Sequence, residues 1–445
     1  MGRFQTAAPK GFIRPKQNLS IGRLQKLQLA GMVESTLYPR FAAERISEAL
    51  ADTPAVLIHG PRQSGKTTLA QQLGQAAGYS YLTFDDTTAQ AAARDDPVGF
   101  VERLPPRTVL DEVQRAPELF AALKFAIDRD RRPGRFLLTG SANVLLLPQL
   151  ADSLAGRLEV LRLYPLAQCE IEGVPPRFLD EFFAGTLKIR HAGRLGSNLI
   201  ERIVGGGYPE ALRRTRADRR REWYRHYMDT LVQRDVRDLA RISQLDLMPR
   251  LLAMAATQTA CLLNMSSLAA PFQVSRPTIR DYAQLLERIF LINTLPPWYS
   301  NRIKRLIKTP KLHLSDTGLA SSLLGTSASQ LMDDRALLGQ LLETFVFNEL
   351  QRQASWHERL HSFFHYRDKD DYEVDIVIER DGRQLAAVEV KAAATVTERD
   401  FRGLKRLQQA AGKRFATGAV LYDGEHLFSF GERLFAVPVS ALWGE

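Results

Sequence analysis

From Leu37 onward, short unbroken apolar runs alternate with segments whose apolar positions recur every three or four residues. The first periodic segment predicts a helix over Phe41–Leu50, and the apolar run Ala55–His59 predicts a strand. A glycine-containing loop and a helix over Lys66–Gln75 follow. Further strands are expected at Tyr79–Phe84, Thr108–Leu110, Phe136–Thr139 and Glu159–Leu163, separated by helical stretches such as Pro117–Arg129. Short continuous apolar strands between helices imply a parallel sheet buried on both faces.

Residues 166–260 read mainly as helical. Residues 261–312 read as a small DNA-binding-type module, and 313–335 as a connector. From Ala336 the pattern becomes α-β-β-β-α-β, an independent α/β unit. The expected division is therefore an N-terminal extension (1–36), an α/β core (37–165), a helical region (166–260), a module with its connector (261–335) and a C-terminal domain (336–445). Residues 1–31 are rich in Gln, Lys and Arg with little periodicity, and Met32 is a candidate translation start.

Composition narrows the classes. No apolar run approaches the ~20 residues of a membrane helix, and the basic N-terminus lacks the apolar stretch of a secretory signal. Cys169 and Cys261 alone make neither a disulfide framework nor a zinc site, so reduced thiols and a cytoplasmic location are expected. The 60 Lys and Arg against 50 Asp and Glu give a formal charge of +10, which favours acidic partners, nucleic acid first. A generally arginine-rich composition is the competing explanation.

The most specific chemistry lies between the first predicted strand and its following helix. Gly60-Pro61-Arg62-Gln63-Ser64-Gly65-Lys66-Thr67, followed by Thr68, matches G-x-x-x-x-G-K-[ST] in the strand–loop–helix setting that makes the match informative. Glycines let backbone N–H groups wrap phosphates, and the helix N-terminus adds a positive dipole. Lys66 is expected to reach the β- and γ-phosphates of ATP, and Thr67 to ligate Mg²⁺. Thr108-Val109-Leu110-Asp111-Glu112 is the second element: an apolar strand ending in two carboxylates at the sheet edge where ligands bind. Asp111 would hold Mg²⁺ and Glu112 would polarise the attacking water. Phe136–Ser141 is a strand ending in polar residues, and Ser141, or else Asn143, is expected to position that water. Helix N-capping is the competing role for Ser141. Arg157 is the candidate arginine finger or γ-phosphate sensor, with Arg234 and Arg237 as rivals at a subunit boundary.

With these residues in hand, the chain resembles the prokaryotic AAA-type ATPases that carry a C-terminal restriction-endonuclease-like domain. The resemblance runs through Gly60–Leu69, Val109–Gln114, Leu138–Asn143, Leu154–Arg157, Gly206–Leu212, Arg234–Leu239, Lys311–Leu319 and Leu341–Phe347. The first two stretches are generic to P-loop ATPases, and the ordered set is more specific. It implies an α/β multidomain fold: a P-loop parallel-sheet ATPase core, a helical and winged-helix-like middle, and a C-terminal restriction-endonuclease-like α/β domain. It leaves the substrate open, and residues 1–31 fall outside it.

In the middle, Ser266–Phe272 and Arg276–Phe290 read as helix-turn-helix, with Ser275 capping the second helix and Pro277 early in it. Arg276, Thr278 and Arg280 would then face outward where recognition helices touch base edges. Asn301–Lys308 reads as a basic strand pair or wing that would lie on phosphates, and Arg213–Arg225 as a solvated basic helix face. Packing alone is the competing role for the whole module.

In the C-terminal domain, Glu343 lies on a helix expected over Leu337–Leu350. Strands are expected at His361–Arg367, Tyr372–Glu379 and Gln384–Lys391, with an Asp381-Gly382 turn. Glu373 and Asp375 share a strand face, as do Glu389 and Lys391, because side chains repeat every two residues. The order resembles a restriction-endonuclease-like active site. That resemblance implies Mg²⁺ on Asp375 and Glu389, Lys391 near the water, and Glu343 in support. Surface ion pairs are the alternative. The expected activity is Mg²⁺-dependent ATP hydrolysis acting on or sensing DNA. The alternatives are an ATP-gated nuclease and a nucleotide-dependent protein-binding switch with an inactive C-terminal scaffold. An AAA-type core is compatible with a homo-oligomeric ring, which the sequence leaves open, and no membrane partner is expected.

Overall fold

β1 (Ala55–His59) is an inner strand of a five-stranded sheet, and all five of its residues are buried. The sheet also contains β2 (Ser80–Thr83), β3 (Thr108–Asp111), β4 (Phe136–Gly140) and β5 (Leu158–Arg162), in the order β2-β3-β4-β1-β5 with every pairing parallel. Alternate residues of β1 feed opposite cores. Val56 and Ile58 pack with Ile46 and Ala49 of the helix Ala42–Asp52 and with Leu69. Ala55 and Leu57 pack with Phe120 and Leu123 of the helix Leu119–Arg129. Two covered faces explain why the strands read as unbroken apolar runs. The computed structural model describes residues 37–444, apart from 142–153, 155, 189–192, 233–246, 273, 302–304, 306 and 307. The segment 1–36, with Met32, lies outside them.

The described residues between 166 and 260 are mainly helical, up to β6 (Cys261–Leu262). The helices Met265–Ala269 and Arg276–Arg288 then pack against each other, capped by Asn264 and Ser275. β7 (Ile292–Leu295) and β8 (Lys311–Leu314) complete a small antiparallel sheet in the order β6-β8-β7. The strands that pair therefore flank Asn301–Lys308 instead of lying within it. Arg305, read as part of a phosphate-facing wing, is turned inward and pairs with Glu379 at 3.0 Å. Its neighbours Arg302, Ile303, Lys304, Leu306 and Ile307 lie outside the described residues.

The predicted connector is corrected more strongly. Residues 311–322 are all buried, β8 running through Asp316 into the helix Thr317–Leu323. Asp316 accepts from Gly207 N at 2.7 Å, Tyr224 Oη at 2.9 Å and Arg352 Nη2 at 3.2 Å. Arg352 also donates to the Leu166 carbonyl at 2.8 Å and to Glu349 at 3.0 Å, and Glu349 accepts from Gln168 N at 2.7 Å. A Cβ on Gly206 would lie 2.3 Å from Asp316 Oδ1, so this glycine lets the chain pass the hub. The end of the α/β core, the middle and the C-terminal helix thus meet in one buried polar cluster.

The C-terminal domain opens with the helix Arg335–Ser355, capped by Asp334 and longer at both ends than expected. It packs on a six-stranded mixed sheet of β9 (His361–Arg367), β10 (Glu373–Arg380), β11 (Gln384–Lys391), β12 (Phe415–Tyr422), β13 (Phe428–Ser429) and β14 (Leu434–Pro438). The order is β13-β14-β12-β11-β10-β9. β9, β10 and β11 pair antiparallel, whereas β11, β12 and β14 run parallel. The helix Arg402–Ala411 makes the crossover before β12. β13 and β14 are additions to the expected pattern.

Candidate functional site

The loop after β1 turns sharply at the carboxyl edge of the parallel sheet. A Cβ on Gly60 would lie 2.2 Å from the Leu163 carbonyl oxygen, so only glycine fits beside the end of β5. Gly65 takes φ +95 before the helix Lys66–Ala77, a backbone that favours glycine. Lys66 is 4% exposed, and its Nζ donates to the carbonyls of Gly60 at 3.0 Å and Pro61 at 2.8 Å. The loop is also gripped from outside. Arg40 donates to the Ser64 carbonyl at 2.6 Å, to the Tyr164 carbonyl at 2.7 Å and to Glu170 at 3.0 Å. Tyr227, on the helix Ala217–Leu231, donates to the Arg62 carbonyl at 3.1 Å. Ser64 is buried, while Gln63 and Thr68 are exposed. Beneath the loop, burial, Arg162 and Lys66 lower the His59 pKa to about 3, so that the imidazole is neutral.

β3 delivers the two carboxylates. Thr67 Oγ1 donates to Asp111, 3.0 Å from Oδ1 and 3.2 Å from Oδ2. Tyr81 Oη donates to Asp111 Oδ2 at 2.8 Å, and Thr139 Oγ1 donates to Oδ1. Glu112 leaves the strand in a left-handed conformation, φ 58 and ψ 44, with its N–H donating to Thr139 Oγ1 at 3.1 Å. For a residue other than glycine that backbone costs about 1 kcal/mol, and the surrounding bonds hold it there. Gln114 Nε2 donates to Glu112 Oε2 and, at 3.0 Å, to Ser141 Oγ. Lys66, Thr67, Asp111, Glu112 and Ser141 are therefore brought to one sheet edge. Arg40, Tyr81, Gln114, Thr139 and Tyr227 join them without having been singled out from the sequence. Gln114 and Thr139 carried a signal there, as members of the stretches Val109–Gln114 and Leu138–Asn143.

Arg157 does not join them. β5 pairs with β1 so that Leu158 lies opposite Ala55 and Arg162 opposite His59. Arg157 precedes β5 and so stands at the amino-terminal edge, roughly 15 Å of strand from the P-loop. Its guanidinium donates to Asp128 at 2.7 and 2.9 Å. The assignment to its own chain's γ-phosphate is thereby corrected: ligands in parallel sheets lie beyond the strands' carboxyl ends. Asn143, Arg234 and Arg237 lie outside the described residues.

In the C-terminal domain, Glu343, Asp375, Glu389 and Lys391 face one open cleft of about 500 Å³. Lys391 pairs with Glu389 at 2.9 Å. Against two of them, however, lies Lys311 of β8, 3% exposed in its side chain. Its Nζ is 2.9 Å from Glu343, 2.8 Å from Glu373 and 3.1 Å from Asp375. Burial pulls this ammonium down, but Asp375, Glu343 and Glu373 override it and hold it well above the ordinary lysine range. Burial and Asp375 push Glu389 up to about 8, and the same two causes raise Glu343 well above the usual carboxylate range. The expected metal ligands thus hold a protein ammonium. Among the described residues, no three His, Cys, Asp or Glu side chains are gathered so as to bind a metal ion.

In the middle region, Arg276 and Arg280 are exposed at the start of their helix and Thr278 is half-buried. Within Arg213–Arg225, Arg213 pairs with Glu210, Arg216 with Asp218 and Arg219 with Glu222. Both cysteines are free, and no described helix is long and apolar enough to cross a membrane.

Comparison with known proteins agrees with this geometry. Residues 52–172 match the family described as AAA domain, a span that contains the P-loop and the β3 carboxylates. Residues 196–330 and 338–442 match two families described as domains of unknown function, DUF8612 and DUF4143. The uncharacterized proteins Mb2031c of Mycobacterium bovis and Rv2008c of Mycobacterium tuberculosis are each 30% identical over 407 residues. The match spans 91% of this chain and 84% of each relative. Among solved structures, the walker-type ATPase paby2304 of Pyrococcus abyssi aligns at 16% identity with a TM-score of 0.41, covering 65% of this chain and 96% of that one. The chain belongs to the family of AAA-domain proteins that includes these two mycobacterial relatives, and its core is an AAA-type P-loop ATPase fold.

Proposed function

We propose that the chain binds ATP with Mg²⁺, hydrolyses it, and uses the cycle to act on or sense nucleic acid. The observation that carries the first part is the contact of Thr67 Oγ1 with Asp111 at 3.0 Å beside buried Lys66. A hydroxyl and a carboxylate at the phosphate end of the loop are the oxygen donors that a hard cation takes. Mg²⁺, when bound, would offset phosphate charge. Thr67 would hold it directly and Asp111 through water. The N–H groups of the Gly60–Thr68 loop would receive the phosphates, helped by the helix N-terminus. Lys66 would exchange the Gly60 and Pro61 carbonyls for β- and γ-phosphate oxygens. Glu112 would take the proton of the attacking water, with Gln114 and Ser141 fixing its carboxylate. Because Arg157 is at the wrong edge for its own site, an arginine finger would come from a neighbouring copy in an oligomer.

The nucleic-acid part rests on the +10 charge and on Arg276 and Arg280 exposed beside the Ser275 cap. The helix pair followed by antiparallel β7 and β8 supports a winged-helix reading. Antiparallel β9–β11 followed by a crossover helix and parallel β12 supports a restriction-endonuclease-like one. ATP hydrolysis measured with duplex, forked and single-stranded DNA tests this. Stimulation is expected, with affinity falling with salt at a slope of about −0.9 per phosphate contacted. Arg276→Ala should flatten that slope by about one contact. Hydrolysis indifferent to all three DNAs would overturn the nucleic-acid reading.

The Lys311 contacts favour a second reading, a nucleotide-dependent protein-binding switch whose C-terminal domain is catalytically inert. They count against the ATP-gated nuclease, whose carboxylates would need a metal where the ammonium lies.

A further inference from the structure

Lys311 reaches the C-terminal carboxylates from outside their domain. It belongs to β8 of the small middle sheet, whereas Glu343 lies on the helix Arg335–Ser355, and Glu373 and Asp375 lie on β10. An ammonium has three donors, and here three carboxylates from two elements accept them at 2.8 to 3.1 Å. Asp375 is fixed behind this contact, its Oδ2 accepting from Val390 N at 2.9 Å. A buried charge cluster of this kind persists only with its counter-charge in place.

Two further buried atoms of this domain junction have no hydrogen-bond partner. His313 follows Lys311 by two residues on the same face of β8 and is 0% exposed. Its Nδ1 meets Thr344 Oγ1 at 3.1 Å, while Nε2 is unpartnered, 3.9 Å from Glu343 Oε1. Glu389 Oε2 is likewise buried and unpartnered. Glu343, Asp375 and Glu389 line the open cleft. The donors that remain are carboxylate oxygens, the ligands of hard divalent cations.

We propose that Lys311 is the resident cation of the carboxylate cluster Glu343, Glu373 and Asp375, and that it takes the place a divalent cation would need there, excluding Mg²⁺ and Mn²⁺ while β8 is docked. Lys311 therefore acts as a plug supplied by the middle region. The inference stands apart from the nucleotide site and from any cleavage activity.

Mn²⁺ uptake by the full chain without nucleotide, read from the free-ion paramagnetic signal, tests this. Wild type, Lys311→Met and Lys311→Met/Asp375→Asn are compared. Lys311→Met should bind one Mn²⁺ at least tenfold more tightly than wild type, the double variant should lose that binding, and Mn²⁺ should raise the melting temperature of Lys311→Met alone. Asp375-dependent binding of equal strength in wild type and Lys311→Met would overturn the proposal. So would a folded Lys311→Met that binds none. If Lys311→Met does not fold, Lys311→Gln takes its place, with the same Asp375-dependent Mn²⁺ uptake expected and the same two results contradicting the plug.

Discussion

Arg40 reaches across 24 residues of sequence to donate its Nη1 to the Ser64 carbonyl at 2.6 Å, while its Nε holds Glu170 at 3.0 Å. One side chain thus joins the P-loop backbone to a fully buried carboxylate at the start of the middle region. Arg40→Ala should loosen the loop and strand Glu170. The expected results are at least tenfold weaker nucleotide binding and a loss of roughly 3 kcal/mol in stability. Nucleotide titration and urea melts check this, and unchanged affinity in a folded variant would remove Arg40 from the site.

Gln114 stands between Glu112 and Ser141, so its amide sets where the Glu112 carboxylate points. Gln114→Ala should lower kcat by roughly tenfold, within the ~10²–10⁴ that a placed general base contributes, and leave KM for ATP nearly unchanged. A rise in KM at constant kcat would assign Gln114 to binding instead.

Arg352 holds together Leu166, Glu349 and Asp316 in a place 3% exposed. Arg352→Met should cost roughly 3–5 kcal/mol, because two buried carboxylates lose their counter-charge. Adding Glu349→Gln should restore part of it. Urea midpoints for the single and double variants measure both effects. A single-variant loss below about 1 kcal/mol would show that the cluster is solvated.

Acid should destabilise the fold through its histidines. Burial, with nearby positive groups, lowers His59 to about 3, and His361 and His365 to about 4, from 6.5. Stability from these neutral rings is complete above about pH 6.5 and is lost as pH falls toward 4. Glu349 opposes them: burial raises it to about 7 from 4.5, so its contribution is lost as pH rises through 7. Glu389 and Glu343 shift in the same direction as Glu349, and His313 in the same direction as the other histidines, so four rings against three carboxylates place the maximum near pH 6.5. Melting temperatures across pH 4.5 to 8 test this, and a steady rise from pH 6.5 down to 5 would contradict it.

The contrast between readable and unreadable parts of the site follows from sequence distance. Gly60–Thr67 and Val109–Glu112 each lie within one strand and its exit loop, so residue spacing alone carries their geometry. Tyr227 meets Arg62 across 165 residues, and Lys311 meets Asp375 across 64. No local pattern announces either pair. Lys311 reads only as the first residue of the Lys311–Leu319 stretch, since its charge is cancelled only after three elements assemble. The 313–335 stretch looked like a connector because its serines, threonines and glycines are polar or small, yet Asp316 turns them into a buried hub. Arg157 is a different kind of error. It precedes its predicted strand, and strand direction in a parallel sheet already places it at the edge opposite the P-loop.

The central claim is hydrolysis of ATP at the Lys66–Asp111–Glu112 edge. The most direct measurement is Mg²⁺-dependent phosphate release by wild type, Lys66→Ala and Glu112→Gln, with ATP binding measured alongside. Wild type should turn over. Lys66→Ala should lose binding, and Glu112→Gln should bind ATP while its turnover falls at least about a hundredfold. Equal turnover in all three proteins, or no ATP binding by wild type, would contradict the account.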